Sequence, residues 1–230
     1  MSEVLLFSAG LDSAIAFHLL GKPKCLHITG HSKYWFQEME AVLRTKMKYP
    51  EMKIEMVQQE WLRNYEEPDA NIPGRNSLFA HIAAHYGDTI YLVCQRGEQS
   101  LPDRSPEFFE GISKWLTMLH GKEKVVSPVF AAMTKADMVV EYLQRGLPAE
   151  DLYVTYSCVT GNTVRCGECK MCARTAWALD YSNILPDNFF AKDIWAWAGW
   201  KDYIRQIENG SMEFRRSEQT MSVLRKRGIV

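Results

Sequence analysis

At 230 residues the chain has the length of one ordinary domain, or of a core domain with an appendage. Its formal net charge of −1 supplies no bulk field for DNA, RNA or an anionic membrane, and no apolar run approaches the roughly 20 residues a membrane helix needs. An apolar content of 47% suits a soluble protein with a packed core, and the absence of a basic leader around Glu3 points to the cytoplasm, where clustered thiols serve as metal ligands more readily than as disulfides.

In chain order, short apolar strands alternate with helical patterns. VLLF (4–7) precedes a helix from Asp12 to Leu20, and CLHIT (25–29) precedes a helix from Lys33 to Lys48. KIEMV (53–57) follows as a third strand, and a polar loop with Pro68, Asn71 and Pro73 leads to the helical spacing of SLFAHIAAHY (77–86). TIYLVC (89–94) reads as a buried strand, Pro106 opens a helix through Leu119, and KVVSP (124–128) is the fifth strand. In TKADMVVEYLQRG (134–146), Thr134 and Asp137 have the spacing of a capping box and Gly146 can end the helix. This alternation predicts a parallel five-stranded sheet with helices on both faces, with ligands beyond the carboxyl ends of the strands.

From Leu152 the character changes to a cysteine-rich loop, a short helix, the tryptophan-rich DIWAWAGWKDYI and a charged terminal helix. Residues 150–230 therefore read as an appendage on the sheet domain. Trp195, Trp197 and Trp200 suit core packing between appendage and body, with a partner interface or a base-stacking platform as the other options. Arg215-Arg216 and Arg225-Lys226-Arg227 read as a solvated helix face.

Two stretches carry chemistry. SAGLDS (8–13) joins the first strand to a helix, where exposed N–H groups at the positive end of the helix dipole suit an anion. Ser8 and Ser13 add hydroxyls, and Asp12 can hold magnesium or cap the helix. The other reading is an ordinary turn with Asp12 or Ser13 as N-cap. Neither a P-loop nor a dinucleotide fingerprint is present. The second stretch is Cys158, Cys166, Cys169 and Cys172, four thiols within fifteen residues, with Gly161 and Gly167 permitting tight turns. Closed tetrahedral zinc fits this set, and an iron–sulfur cluster is the rival. Cys25 and Cys94 lie in apolar strands and read as buried hydrophobes.

SAGLDS resembles the S-G-G-x-D-S pyrophosphate loop of the PP-loop ATP pyrophosphatases, with Ala9 where the first glycine is usual. With PGRN (73–76), LPDRSPEF (101–108), TKADMV (134–139) and TYSC…CGECKMC (155–172), the chain resembles the 7-cyano-7-deazaguanine synthase family over most of residues 4–175. The resemblance implies a Rossmann-like α/β domain of the adenine nucleotide α-hydrolase type over residues 1–150, and a zinc-binding helical appendage over 151–230. It implies ATP-dependent conversion of 7-carboxy-7-deazaguanine and ammonia to the nitrile by way of an adenylate and an amide, with ATP, Mg2+ and Zn2+ as cofactors, and a homodimer.

Within that resemblance, Ser8, Ala9, Gly10, Leu11, Asp12, Ser13 and Gly30 are expected at the nucleotide, and Asp12, Ser13, Arg75 and Lys135 at the chemistry. Arg75, Asn76, Asp103 and Arg104 are expected at the substrate. Arg75 can alternatively make a salt bridge at a helix start, Lys135 can be solvated, and Asp103 can be a turn former after Pro102. Departures gather where the substrate would sit. Arg104-Ser105 replaces a cysteine–arginine pair, CQRGEQS (94–100) lacks the usual asparagine and aspartate–tyrosine residues, and ITGHSK (28–33) keeps only Gly30. These departures admit a changed acceptor, with an amide product or transfer to a protein amine, and Ala9 with the aromatic tail admits a zinc-binding interaction module without catalysis. Thiolation or amidation of tRNA, the reaction of other superfamily members, sits poorly with the charge balance.

Overall fold

In the computed structural model, which describes residues 1–30, 32–67 and 72–230, all five apolar runs become strands. They are β1 (Glu3–Leu6), β2 (Lys24–Thr29), β3 (Ile54–Gln58), β4 (Thr89–Val93) and β5 (Val125–Val129). Every pairing is parallel and the order is β3-β2-β1-β4-β5. The chain therefore winds outward from β1 in one direction and then returns to its other side at β4. That reversal leaves a crevice at the carboxyl ends of β1 and β4, where the SAGLDS turn lies. Pro68 and Asn71 of the expected polar loop, and His31, fall outside the described residues.

Helices α1 (Leu11–Leu19), α2 (Trp35–Lys48), α3 (Arg75–Ala83), α4 (Pro106–His120) and α5 (Lys135–Gln144) connect or follow the strands. The single-turn α6 (Glu150–Tyr153), then α7 (Lys170–Tyr181), α8 (Trp200–Glu208) and α9 (Phe214–Lys226), complete the chain. Short 3-10 turns occupy Glu60–Tyr65, Pro102–Arg104 and Ile194–Ala196. The helix expected over 77–86 begins two residues earlier, after Gly74 in the left-handed region (φ 73°), which makes Arg75 its first residue. Among the described residues no helix is long and apolar enough to cross a membrane.

Alternation along each strand divides two apolar layers. Val4, Leu26, Ile90 and Val126 point to the layer of α3 and α4, against Ala80, Ala83, Phe109 and Leu116. Leu5, Phe7 and Cys25 point to the other layer, packed with Ile15 and Phe17 of α1 and Met138 and Tyr142 of α5. That second layer runs on without a break into Ala173 and Trp177 of α7 and Val223 and Leu224 of α9, so residues on both sides of position 150 share it. Cys25 and Cys94 are fully buried, and burial pushes their thiols up to about 12 and about 11, as inert hydrophobes would show.

The tryptophans pack inward. Trp200 is 2% exposed, stacks on Trp195 at 5.6 Å, meets Trp197 and Tyr203 edge-on and donates its Nε1–H to Ile194 O at 2.8 Å. The basic cluster keeps a solvated face, with Arg215, Arg225, Lys226 and Arg227 exposed and Arg216 half-buried, and several of its charges are also paired. Arg215 makes a two-pronged pair with Asp137, and Lys226 and Arg227 reach the buried Asp180. A carboxylate buried under a helix needs such cations, because an unpaired one would be costly.

Candidate active site and metal centre

The turn from β1 to α1 is built from its own small residues. Ser13 Oγ donates to Gly10 O at 3.1 Å and accepts from Ser8 N at 3.2 Å. Gly10 is the N-cap of α1 with no side-chain cap, so neither Asp12 nor Ser13 plays the capping part of an ordinary turn. The hydroxyls that meet the first amides of the helix are Ser8 Oγ, which accepts from Gly10 N at 3.3 Å, and one from a distant segment. Ala9 is fully buried at φ 55°, a left-handed backbone that glycine adopts freely and alanine adopts at a cost of about 1–2 kcal/mol. The methyl group is accommodated in the enclosed turn. The cysteine segment braces it from outside: Tyr156 N donates to Ala9 O at 3.0 Å, and Leu11 N to Ser157 Oγ at 3.3 Å.

Lys135, first residue of α5, is 2% exposed and bonds Asp12 Oδ1. It is not a solvated lysine. Burial pulls its ammonium below the usual lysine range, and the Asp12 carboxylate opposes that shift.

A cavity of about 280 Å³ opens beside the turn. Ser8, Gly10, Asp12 and Ser13 form one wall, and Gly30, Arg75, Asn76 and Arg104 contribute to the others. Ala9 and Leu11 lie behind the wall, fully buried. Gly30 is closely approached, since a Cβ there would come within 3.1 Å of Leu62 Cβ. Asp103 lies in the 3-10 turn after Pro102, its side chain outside the cavity wall, and its carbonyl accepts from Asn76 Nδ2 at 3.3 Å. The turn-forming role is therefore the one its position shows.

Several site residues escaped the sequence reading. Glu98 lines the cavity 6% exposed; one carboxylate oxygen bonds Arg174 Nη2 at 2.5 Å and the other bonds Arg104 Nη1. Burial would raise this carboxyl, but the two guanidinium groups outweigh it and hold it down at about 2. Gln95 Oε1 also accepts from Arg174 Nη2, at 3.1 Å. Glu38 of α2 lines the cavity too; burial pushes its carboxyl up to about 8, with the Arg75 charge opposing and Glu66 adding. Sequence periodicity assigns Glu38 to a polar helix face and says nothing of the wall it meets.

The four cysteines converge as their spacing predicts, all Sγ atoms lying within 4.8 Å of one another. Cys166 and Cys172 Sγ are 3.8 Å apart, which is the edge of a tetrahedron with metal–sulfur bonds of about 2.3 Å. Backbone N–H groups of Cys166, Glu168 and Cys172 point at Cys158, Cys166 and Cys169 Sγ at 3.3–3.4 Å, as they would to thiolates. Gly161 (φ 75°) and Gly167 (φ 76°) take the left-handed region, and Gly161 also passes where a Cβ would sit 2.5 Å from Lys33 O. The donor set can hold one metal ion. Cys169 is the N-cap of α7, the helix that carries Arg174 into the cavity region.

Comparison with known proteins agrees with this geometry. Residues 37–182 match the family model described as queuosine biosynthesis protein QueC. A protein of Desulforamulus reducens named 7-cyano-7-deazaguanine synthase is 28% identical over 165 residues, covering 67% of this chain and 71% of that protein. Proteins of the same name from Methanothermobacter thermautotrophicus and Thermoplasma acidophilum are 34% and 33% identical, over 49% and 46% of this chain. The matched stretches span about half the length of these two relatives, 52% and 48%.

Proposed function

The chain belongs to the QueC family of queuosine biosynthesis proteins, and from that premise we propose that it makes 7-cyano-7-deazaguanine from 7-carboxy-7-deazaguanine, ammonia and ATP. The observation that carries this reading is the N-terminal turn of α1, with Lys135 on Asp12, on the wall of a cavity also lined by Arg75, Asn76 and Arg104.

In the proposed reaction the substrate carboxylate attacks the α-phosphorus of ATP, forming an acyl adenylate and releasing pyrophosphate. Ammonia then displaces AMP to give the amide. A second activation, of the amide oxygen, lets the adenylate leave with loss of the remaining N–H protons and gives the nitrile and AMP.

The chain's own groups do electrostatic work in both activations. Ser8, Gly10 and Ser13, whose donors bond one another within the turn, line the wall where pyrophosphate charge would develop and would exchange those bonds for phosphate oxygens, and Lys135 adds an ammonium whose burial strengthens its field. Magnesium, held through Asp12, would supply further neutralisation of phosphate charge. Arg75 offers a fork that suits a carboxylate or phosphate. Zinc bound by the four cysteines would fix the segment that braces the β1–α1 turn; the small span of the sulfurs suits one ion better than an iron–sulfur cube. Family resemblance further supports a cytoplasmic homodimer acting on small molecules.

The test is mass spectrometry of a reaction with ATP, magnesium, ammonia and the deazaguanine acid, with Asp12→Ala as control. Nitrile and AMP, both absent from the control, are the expected outcome; no AMP with the acid present would reject the reading. One observation favours a second acceptor: Glu98, clamped by Arg104 and Arg174, gives the cavity an ion-pair network where the family's cysteine–arginine pair is replaced. An amide that accumulates, or an adenylate captured by another amine, would support that variant. A non-catalytic zinc-binding module would release no AMP under any of these conditions.

A further inference from the structure

The terminal helix α9 docks apolar residues, Val223 and Leu224, as an appended helix would. Its first half does something different. Gln219 is 3% exposed; its Oε1 accepts from Thr134 Oγ1 at 2.6 Å, and its Nε2 donates to Asp137 Oδ1 at 2.8 Å. Arg215 Nε and Nη2 donate to the two Asp137 oxygens at 2.8 and 2.6 Å. Thr134 and Asp137 are the two members of the capping box that starts α5. Lys135 stands between them, and its side chain runs inward to Asp12.

The same helix holds a second segment of the site. Glu213 Oε1 pairs with Arg96 Nε at 2.8 Å, and a Cβ on Gly97 would come within 2.9 Å of Glu213 Cβ. That is the loop whose next residue is Glu98. Exposed or half-exposed pairs add little to stability, so their value at these positions lies in where they hold the chain. The N-cap dihedrals set the direction in which a first-turn residue leaves the helix, and four bonds from α9 fix that cap.

We propose that α9 is a positioning element of the site: Gln219 and Arg215 lock the first turn of α5 and thereby hold Lys135 against Asp12. The effect on turnover rests on the phosphate-facing reading of Lys135, whereas the positional effect does not.

The experiment is competitive acylation of lysines in the full-length chain, read residue by residue by mass spectrometry, in wild type, Gln219→Leu and Arg215→Ala. Lys124 is the internal control: it is 3% exposed, bonds the carbonyls of Ala84 and Gly87 at 2.5 and 2.8 Å, and pairs with Asp88, none of which belongs to α9. Lys135 labelling is expected to rise about tenfold in both variants with Lys124 unchanged. Equal acceleration at Lys124 would show loss of global stability instead, and unchanged Lys135 would show no positioning; either overturns the inference. In turnover assays Gln219→Leu is expected to lower kcat about tenfold with KM for the acid unchanged, and an unchanged kcat would overturn the positioning role. Wild-type chain that fails to cleave ATP while the labelling behaves as expected would reject the proposed function and leave this inference standing.

Discussion

Lys135 and Asp12, 123 positions apart in sequence, meet where the first turns of α5 and α1 converge, a buried ammonium against a carboxylate that keeps some contact with solvent. The side chains are 1% and 29% exposed, so Asp12 retains hydration and Lys135 depends on its partner. On the proposed reading Lys135 acts on an arriving phosphate from behind Asp12, which lines the cavity while Lys135 does not. Lys135→Met should therefore lower ATP-driven turnover by about 10²–10³-fold, the range seen when one pre-placed donor is lost. Thermal unfolding should change little, because the partner left behind is partly solvated and the new side chain is apolar. Steady-state AMP release and calorimetry on the same samples check both halves.

Ala9 at φ 55° sets up a balance that can be measured. Ala9→Gly would relieve about 1–2 kcal/mol of left-handed strain. It would lose about 0.4–1 kcal/mol to unfolded-state entropy and up to about 0.8 kcal/mol of methyl burial. The expected net change lies between a loss of about 0.8 and a gain of about 1.6 kcal/mol. Ala9→Val, β-branched in the same backbone and fully enclosed, should cost more than about 2 kcal/mol. Urea unfolding of the pair decides it, and a large gain from glycine would contradict the balance.

Glu38 gives the protein a pH response near neutrality. Its carboxyl is pushed up to about 8 by burial, against an ordinary value of 4.5. The folded state therefore keeps a proton that the unfolded chain has lost, and this group's contribution to stability falls as pH rises from about 4.5 to about 8. The slope is bounded by roughly 1.4 kcal/mol per pH unit. Glu38→Gln should flatten it; denaturation midpoints taken between pH 5 and 8.5 measure the difference, and parallel curves for the two proteins would contradict the shift.

Metal removal should be felt beyond the cysteines. Cys169 starts α7, and α7 brings Arg174 to Glu98. If the four cysteines hold zinc as proposed, chelation or Cys169→Ser should remove one ion per chain. It should also lower the unfolding midpoint by about 6–12 °C, if about 3 kcal/mol is lost at roughly 2–4 °C per kcal/mol for a chain of this size. Elemental analysis with scanning calorimetry checks it, and an unchanged midpoint in metal-free chain would assign the cysteines no structural part.

Features encoded locally were legible in the sequence. The strands, the β1–α1 turn, the Thr134–Asp137 cap and the four-cysteine spacing each depend on residues a few positions apart, and the structure contains all of them. Features that depend on distant partners were not. Glu98 and Arg174 are separated by 76 positions and Arg215 and Asp137 by 78, so neither composition nor periodicity could pair them. Arg215 and Arg227 are solvated, as a charged helix face usually is, and what the sequence does not reveal is that they also pair with Asp137 and Asp180. Asp103 was assigned to the substrate through a motif, whereas the local 3-10 turn gives its backbone, not its carboxylate, to the neighbourhood.

The stacked pair of Trp195 and Trp200, 14° from parallel, has an optical consequence. Two indoles so close and so nearly aligned couple their electronic transitions, and the Arg227 guanidinium lies 5.0 Å from the Trp195 ring. Far-ultraviolet circular dichroism and tryptophan emission should therefore carry a signature of the docked tail, separable from helix content. The protein contains its own reporter for attachment of the segment that ends in α9.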